Sequence, residues 1–140
     1  MPKVALRGFT PTTYGADDIP KKIQIRDLLI PRIANLQDLQ QKCRGKQLWL
    51  GVTFYLLEGT SLESRTGKDI DNLLKIVMDA LPEYMDKKKM NGGLGLIFED
   101  RDDMVFQIDA KKVLVQSESE EGIDIEIGEW RRNTSSLLSD

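Results

Sequence analysis

Gln47 to Leu57 reads QLWLGVTFYLL, an alternation that sets Leu48, Leu50, Val52, Phe54 and Leu56 on one side of an extended chain and Trp49, Thr53, Tyr55 and Leu57 on the other. Apolar side chains on both sides need cover on both, so the segment predicts a well-buried central strand. Such a strand must be flanked by other elements. Val4 to Phe9 has the length of a short edge strand and runs into turn-forming sequence, Thr10 to Asp18, with Pro11 and Gly15. Ile25, Leu28 and Leu29, then Ile33, Leu36, Leu39 and Cys43, recur at helical steps, with Pro31 starting a second helix or kinking one and Gly45 ending it. Cys43 on that stripe reads as a small core hydrophobe.

After the polar stretch GTSLESRTGK, Ile70, Leu73, Leu74, Val77, Met78 and Leu81 form one stripe of a helix spanning about Asp69 to Leu81, closed by Pro82 and the charged EYMDKKK. A loop with Asn91, Gly92, Gly93 and Gly95 leads to Leu96 to Phe98. The acidic cluster EDRDD then precedes an alternating strand from Met104 to Leu114. Ile123, Ile125 and Ile127 alternate with Asp124 and Glu126 in a fourth strand, expected to pair with the third across the turn SESEEG. The order predicts an α+β fold: a small mixed β-sheet with helices packed on one face, a single domain over 1–132, and a flexible tail at 133–140. No run approaches the roughly 18 to 20 apolar residues that span a bilayer, and MPKVALRGFT lacks a signal core, so a cytoplasmic protein without membrane contact is expected.

Composition removes several chemistries. The 140 residues contain no histidine and one cysteine, which excludes Ser-His triads, Cys-His dyads, an internal disulfide and cysteine-cluster metal sites. Gly67-Lys68 is followed by Asp69 rather than Ser or Thr, so there is no nucleotide P-loop, and Asn91 to Gly95 lacks the pattern of a dinucleotide fingerprint. Hydrolysis by this chain would use carboxylates, lysines and a hard cation such as magnesium. The net charge of −3 disfavours general attraction to nucleic acid, but Met1 to Leu50 holds nine basic residues against four acids, which allows local phosphate contact.

The chemistry-bearing stretch is Lys68-Asp69-Ile70-Asp71-Asn72-Leu73-Leu74-Lys75, followed by Asp79. Asp69 and Asp71 flank an apolar residue at a loop-to-helix junction, so both carboxylates can face one side. Asp71, Lys75 and Asp79 then fall at i, i+4 and i+8. An aspartate cap with two solvated i,i+4 ion pairs would have the same spacing. The second acidic cluster, Glu99, Asp100, Asp102 and Asp103, favours a metal: carboxylates from a helix start and a strand entrance suit magnesium holding a phosphate oxygen and a water, with Lys75 neutralising transition-state charge.

The run Asp69-Ile70-Asp71-Asn72-Leu73-Leu74-Lys75 with Asp79-Ala80-Leu81 resembles the D-x-D-N-x-x-K-x-x-x-D-A-L signature of RusA-type Holliday junction resolvases. Those are small, dimeric, magnesium-dependent endonucleases that cut four-way DNA junctions. The likeness continues more loosely into Asp102-Asp103-Met104-Val105 and Lys112, covering roughly half the chain. It implies a RusA-like fold, Asp69 and Asp71 as metal ligands, Asn72 holding the helix start, Lys75 as catalytic lysine and Asp102 as third carboxylate, with Asp103 and then Asp100 as alternatives in a shifted frame. Mg2+ is the implied cofactor and Mn2+ its substitute. Arg101 stands where the family usually has another acid, the segment MDKKKMNGGLGLIFE is longer than the family's, and the chain is acidic where the family tends to be basic. Arg65, Lys68, Lys87, Lys88 and Lys89 flank the signature helix as candidate DNA-phosphate contacts. Two matched cuts across a junction call for a two-fold homodimer. The expected activity is endonucleolytic resolution of branched DNA in recombination and repair. The rival readings are a non-cleaving branched-DNA or protein-binding module of the same fold and a phosphohydrolase of small nucleotides.

Overall fold

A computed structural model describes residues 3–11, 19–58, 70–86, 88–97 and 102–132, with the side chain of Asp102 left out. The strand read from QLWLGVTFYLL organises it. Strands β1 (Lys3–Arg7), β2 (Leu48–Leu57), β3 (Val105–Val115) and β4 (Gly122–Glu129) form one sheet in the order β1-β4-β2-β3. The helices are α1 (Ile19–Leu29), α2 (Leu36–Cys43) and α3 (Ile70–Ala80). β2 lies parallel to β3 and antiparallel to β4, and β4 is antiparallel to β1, so the sheet is mixed, as expected.

Alternation along β2 decides which face carries the core. Leu48, Leu50, Val52, Phe54 and Leu56 are buried, in one cluster with Ile25 and Leu29 of α1, Leu39 and Cys43 of α2, and Leu73, Ile76 and Val77 of α3. Burial pushes the Cys43 thiol up to about 11, so it stays protonated at neutral pH and acts as packing. The Asn35 side chain accepts from the Asp38 N–H to start α2. Gly45, at a φ of 70°, follows the helix end, where the sequence predicts the stop. Pro31 sits in a single 3-10 turn, Ile30–Arg32, between the first two helices.

The pairing of the last two strands differs from expectation. β3 and β4 do not form a hairpin: the chain leaves β3, passes through a 3-10 turn at Glu118–Glu120 and inserts β4 between β1 and β2. Leu6 then faces Ile123 and Val4 faces Ile125, so the apolar residues of the short N-terminal strand extend the core face. Periodicity reports which face a residue occupies but not which strand lies beside it. β3 is left at the sheet edge with mostly exposed residues on both faces.

On the other face of the sheet, β4 carries a polar centre. Asp124 accepts from Arg7 Nη1 at 2.8 Å and from the Tyr55 hydroxyl at 2.7 Å, and the guanidinium carbon lies 4.1 Å from the Tyr55 ring centroid. Burial alone pushes the Asp124 carboxyl up, but the hydrogen bonds from Arg7 and Tyr55, aided by the Arg7 charge, outweigh it and hold the group below its ordinary value. A carboxyl depressed in the folded state adds stability above its unfolded value near pH ~3.9, and that contribution disappears as pH falls through the lower folded value. Asp124→Asn should therefore melt below wild type at neutral pH, with the gap closing in a thermal series taken below pH ~4. A gap constant with pH would mean that the carboxylate charge is not what matters.

Candidate functional site

The first turn of α3 forms where Asp71 follows Ile70, with Leu73, Ile76, Val77 and Ala80 on the buried side and Asp71, Asn72 and Lys75 exposed on the other. Leu81, just past the helix, gathers with Leu94, Leu96, Val4, Ile125 and Ile127, over β1 and β4. The body of the helix packs on β3 and α1. α3 thus packs on the core face of the sheet, with the residue after its C-terminal end beside residues of β1 and β4. The turn Asp102–Met104 leads directly into β3.

The polar residues of the helix do not form the ion-pair ladder their spacing permits. Among the described residues no ion pair joins Lys75 to Asp71 or to Asp79. Asp79 instead accepts from Lys22 Nζ at 3.0 Å, and that lysine is buried, its side chain 5% exposed, on the same side of α1 as Ile25 and Leu29. Lys22 was not singled out from sequence, although its three-residue step from Ile25 placed it on the buried stripe. Its pair with Asp79 ties α1 to α3. Among the described charged members of the signature, Asp71 and Lys75 are exposed, on adjacent turns of the helix.

Several predicted residues lie outside the description: Arg65, Lys68, Asp69, Lys87, Glu99, Asp100, Arg101 and the tail at 133–140. Asp102 opens the 3-10 turn, and Asp103 beside it is exposed. Among the described residues no three carboxylate, thiol or imidazole groups converge on one point.

Lys88 and Lys89 project from a loop built on Asp86. Its carboxylate accepts from the Met90 N–H at 2.9 Å and from Asn91 Nδ2 at 3.0 Å, and Lys89 takes a positive φ of 58° to close the turn. Slight desolvation raises the Asp86 carboxyl, and these hydrogen bonds together lower it further than that, leaving it below its usual range. The Lys89 ammonium rests 5.8 Å from the centroid of Tyr84. Lys88 is exposed.

No helix among the described residues is long and apolar enough to cross a membrane. No family model, curated protein or solved structure matches the chain.

Proposed function

We propose that the chain is a magnesium-dependent endonuclease acting on branched DNA, four-way junctions foremost. The observation that carries the reading is the division of labour on α3: Asp79 is committed to Lys22, whereas Asp71 and Lys75 stand exposed one turn apart. The D-x-D-N-x-x-K signature and its resemblance to RusA-type resolvases support the same assignment.

The donor set suits a hard cation. Asp71 and Asp69 would hold magnesium from the helix start, and Asp102, with Asp103 and then Asp100 as alternatives, would complete the oxygen shell; manganese fits the same donors. Held there, a magnesium ion would supply Lewis-acid chemistry to a phosphoryl oxygen and to an attacking water. Lys75, one helical turn beyond Asp71, places an ammonium beside the same phosphate and offsets the negative charge that grows on its oxygens as the diester is attacked. Its flexible four-carbon stem lets the charge follow the reacting group. Lys88 and Lys89, with Arg65, Lys68 and Lys87, supply the local phosphate contacts that an acidic chain needs.

The test is cutting of a labelled junction with magnesium, with manganese and with EDTA: cleavage with either metal and none with the chelator is expected. Lys75→Ala should slow cutting by about 10²- to 10³-fold without changing the magnesium concentration that gives half-maximal rate. An equal loss of metal affinity would make Lys75 a structural support of the site instead. Replacing Lys87, Lys88 and Lys89 together should flatten the dependence of log affinity on log salt by roughly 0.9 per lost phosphate contact on duplex arms. An unchanged slope would remove the cluster from the interface. A second reading, a branched-DNA or protein-binding module of this fold that does not cleave, rests on the net charge of −3, acidic where the resembled family tends to be basic; it predicts junction binding with or without metal and no cutting.

A further inference from the structure

Lys75 lies between two carboxylates of its own helix, Asp71 one turn before it and Asp79 one turn after it, and either spacing allows an ion pair. Neither forms: among the described residues Lys75 is exposed and joined to no acid. In the function proposed above, Asp71 is assigned to magnesium. Asp79 is taken by Lys22 of α1, whose Nζ stands 3.0 Å from Asp79 Oδ2.

The two ends of that pair are placed differently. The Lys22 side chain is 5% exposed, on the side of α1 that carries Ile25 and Leu29 into the core, whereas the Asp79 side chain is 33% exposed. An apolar residue at position 22 would complete the inner stripe of α1 without the desolvation cost of an ammonium, so joining two helices does not by itself call for a lysine. Asp79 remains partly in solvent, where the cation one turn before it on α3 is Lys75. Released there, the carboxylate would draw the Lys75 ammonium away from a phosphate and set a negative charge beside it. A buried ammonium needs a carboxylate far more than a hydrated one does, so Lys22 wins the competition for Asp79.

We propose that Lys22 is a positioning residue for the candidate site: by holding Asp79 it leaves the Lys75 ammonium free for substrate phosphate. The inference rests on the role given to Lys75 above, but the state of Lys75 can be read without any cutting.

The first measurement is acetylation of the folded chain by limiting acetic anhydride, with the rate at Lys75 read by peptide mass mapping in an Asp71→Asn background, which removes the other carboxylate and a metal ligand together. Adding Lys22→Met, an unbranched side chain without the charge, should slow the reaction at Lys75 about two- to six-fold, since the released carboxylate favours the charged, unreactive amine. Adding Asp79→Asn as well should restore it. Circular dichroism checks each fold, and Lys22→Leu replaces Lys22→Met if the latter does not fold. An unchanged rate at Lys75 in a folded position-22 variant would overturn the proposal.

Junction cutting then separates positioning from clamping. Lys22→Met should lower kcat by a similar factor of about two to six with KM unchanged, and Asp79→Asn on top of it should recover kcat. Asp79→Asn alone is the sharpest case. It takes the carboxylate from the buried ammonium and lowers Tm, yet leaves no acid to capture Lys75 from that turn, so kcat should match wild type. If the pair only clamped α1 to α3, Asp79→Asn would lose activity together with stability, and that result would overturn the proposal. A chain that never cuts, with acetylation of Lys75 following the expected pattern, would leave the hold of Lys22 on Asp79 standing and contradict only the nuclease reading.

Discussion

Asp71→Asn should abolish magnesium-dependent junction cleavage, by at least about 10²- to 10³-fold, while junction binding is kept or tightened. The substitution keeps the size of the side chain but removes a charge that a hard cation needs. Binding survives because the carboxylate repels the phosphate in the absence of metal, and the amide does not. Stability should change by no more than about 0.5 kcal/mol, since Asp71 is exposed and makes no ion pair among the described residues. The three readouts separate the alternatives. Cutting at the wild-type rate would remove Asp71 from the mechanism, and a lowered melting temperature with no effect on cutting would assign it to the helix start.

Gly122→Ala should destabilise the sheet strongly. Gly122 stands opposite Arg7 of β1 and Tyr55 of β2 at the start of β4. A Cβ there would run into the Leu6 carbonyl oxygen and lie 2.8 Å from its carbon, both of them backbone atoms that cannot rotate away. Relief means prising β1 from β4, and overpacking of this kind costs about 1–3 kcal/mol or more. In a domain of this size that lowers Tm by on the order of 10 °C. Gly92→Ala is the control, because its Cβ would meet nothing closer than 3.8 Å. Calorimetry on the two variants tests the topology itself: in a β3–β4 hairpin with β1 elsewhere, Gly122 would not be crowded and both would melt like wild type.

That contrast marks what the sequence expresses. β2 was legible because alternation over ten residues leaves no other reading, and α3 because its apolar stripe is continuous and Pro82 stops it. The polar turn after β3 suggested a hairpin because it has the local chemistry of one, yet the pairing is decided by Val4 and Leu6, which need Ile125 and Ile123 beside them to complete the core face. Such a preference between distant segments leaves no local trace. The same holds for Asp124, whose partners Tyr55 and Arg7 are 69 and 117 residues away in sequence. Lys22 was within reach, since a lysine on the inner stripe of a helix needs an acid facing it, and Asp79 is that acid. The candidate site was legible as composition and spacing at Asp71 and Lys75. Its second half was less so, because several acids in a row offer more than one frame and nothing local chooses between them.

The most direct measurement is cleavage of a labelled four-way junction beside a linear duplex of the same sequence, with magnesium, followed by mapping of the nicks on each strand. The account predicts cuts at symmetry-related positions on opposing strands of the junction and none on the duplex. Equal cutting of both substrates, or a junction left intact by folded protein in magnesium, would contradict it.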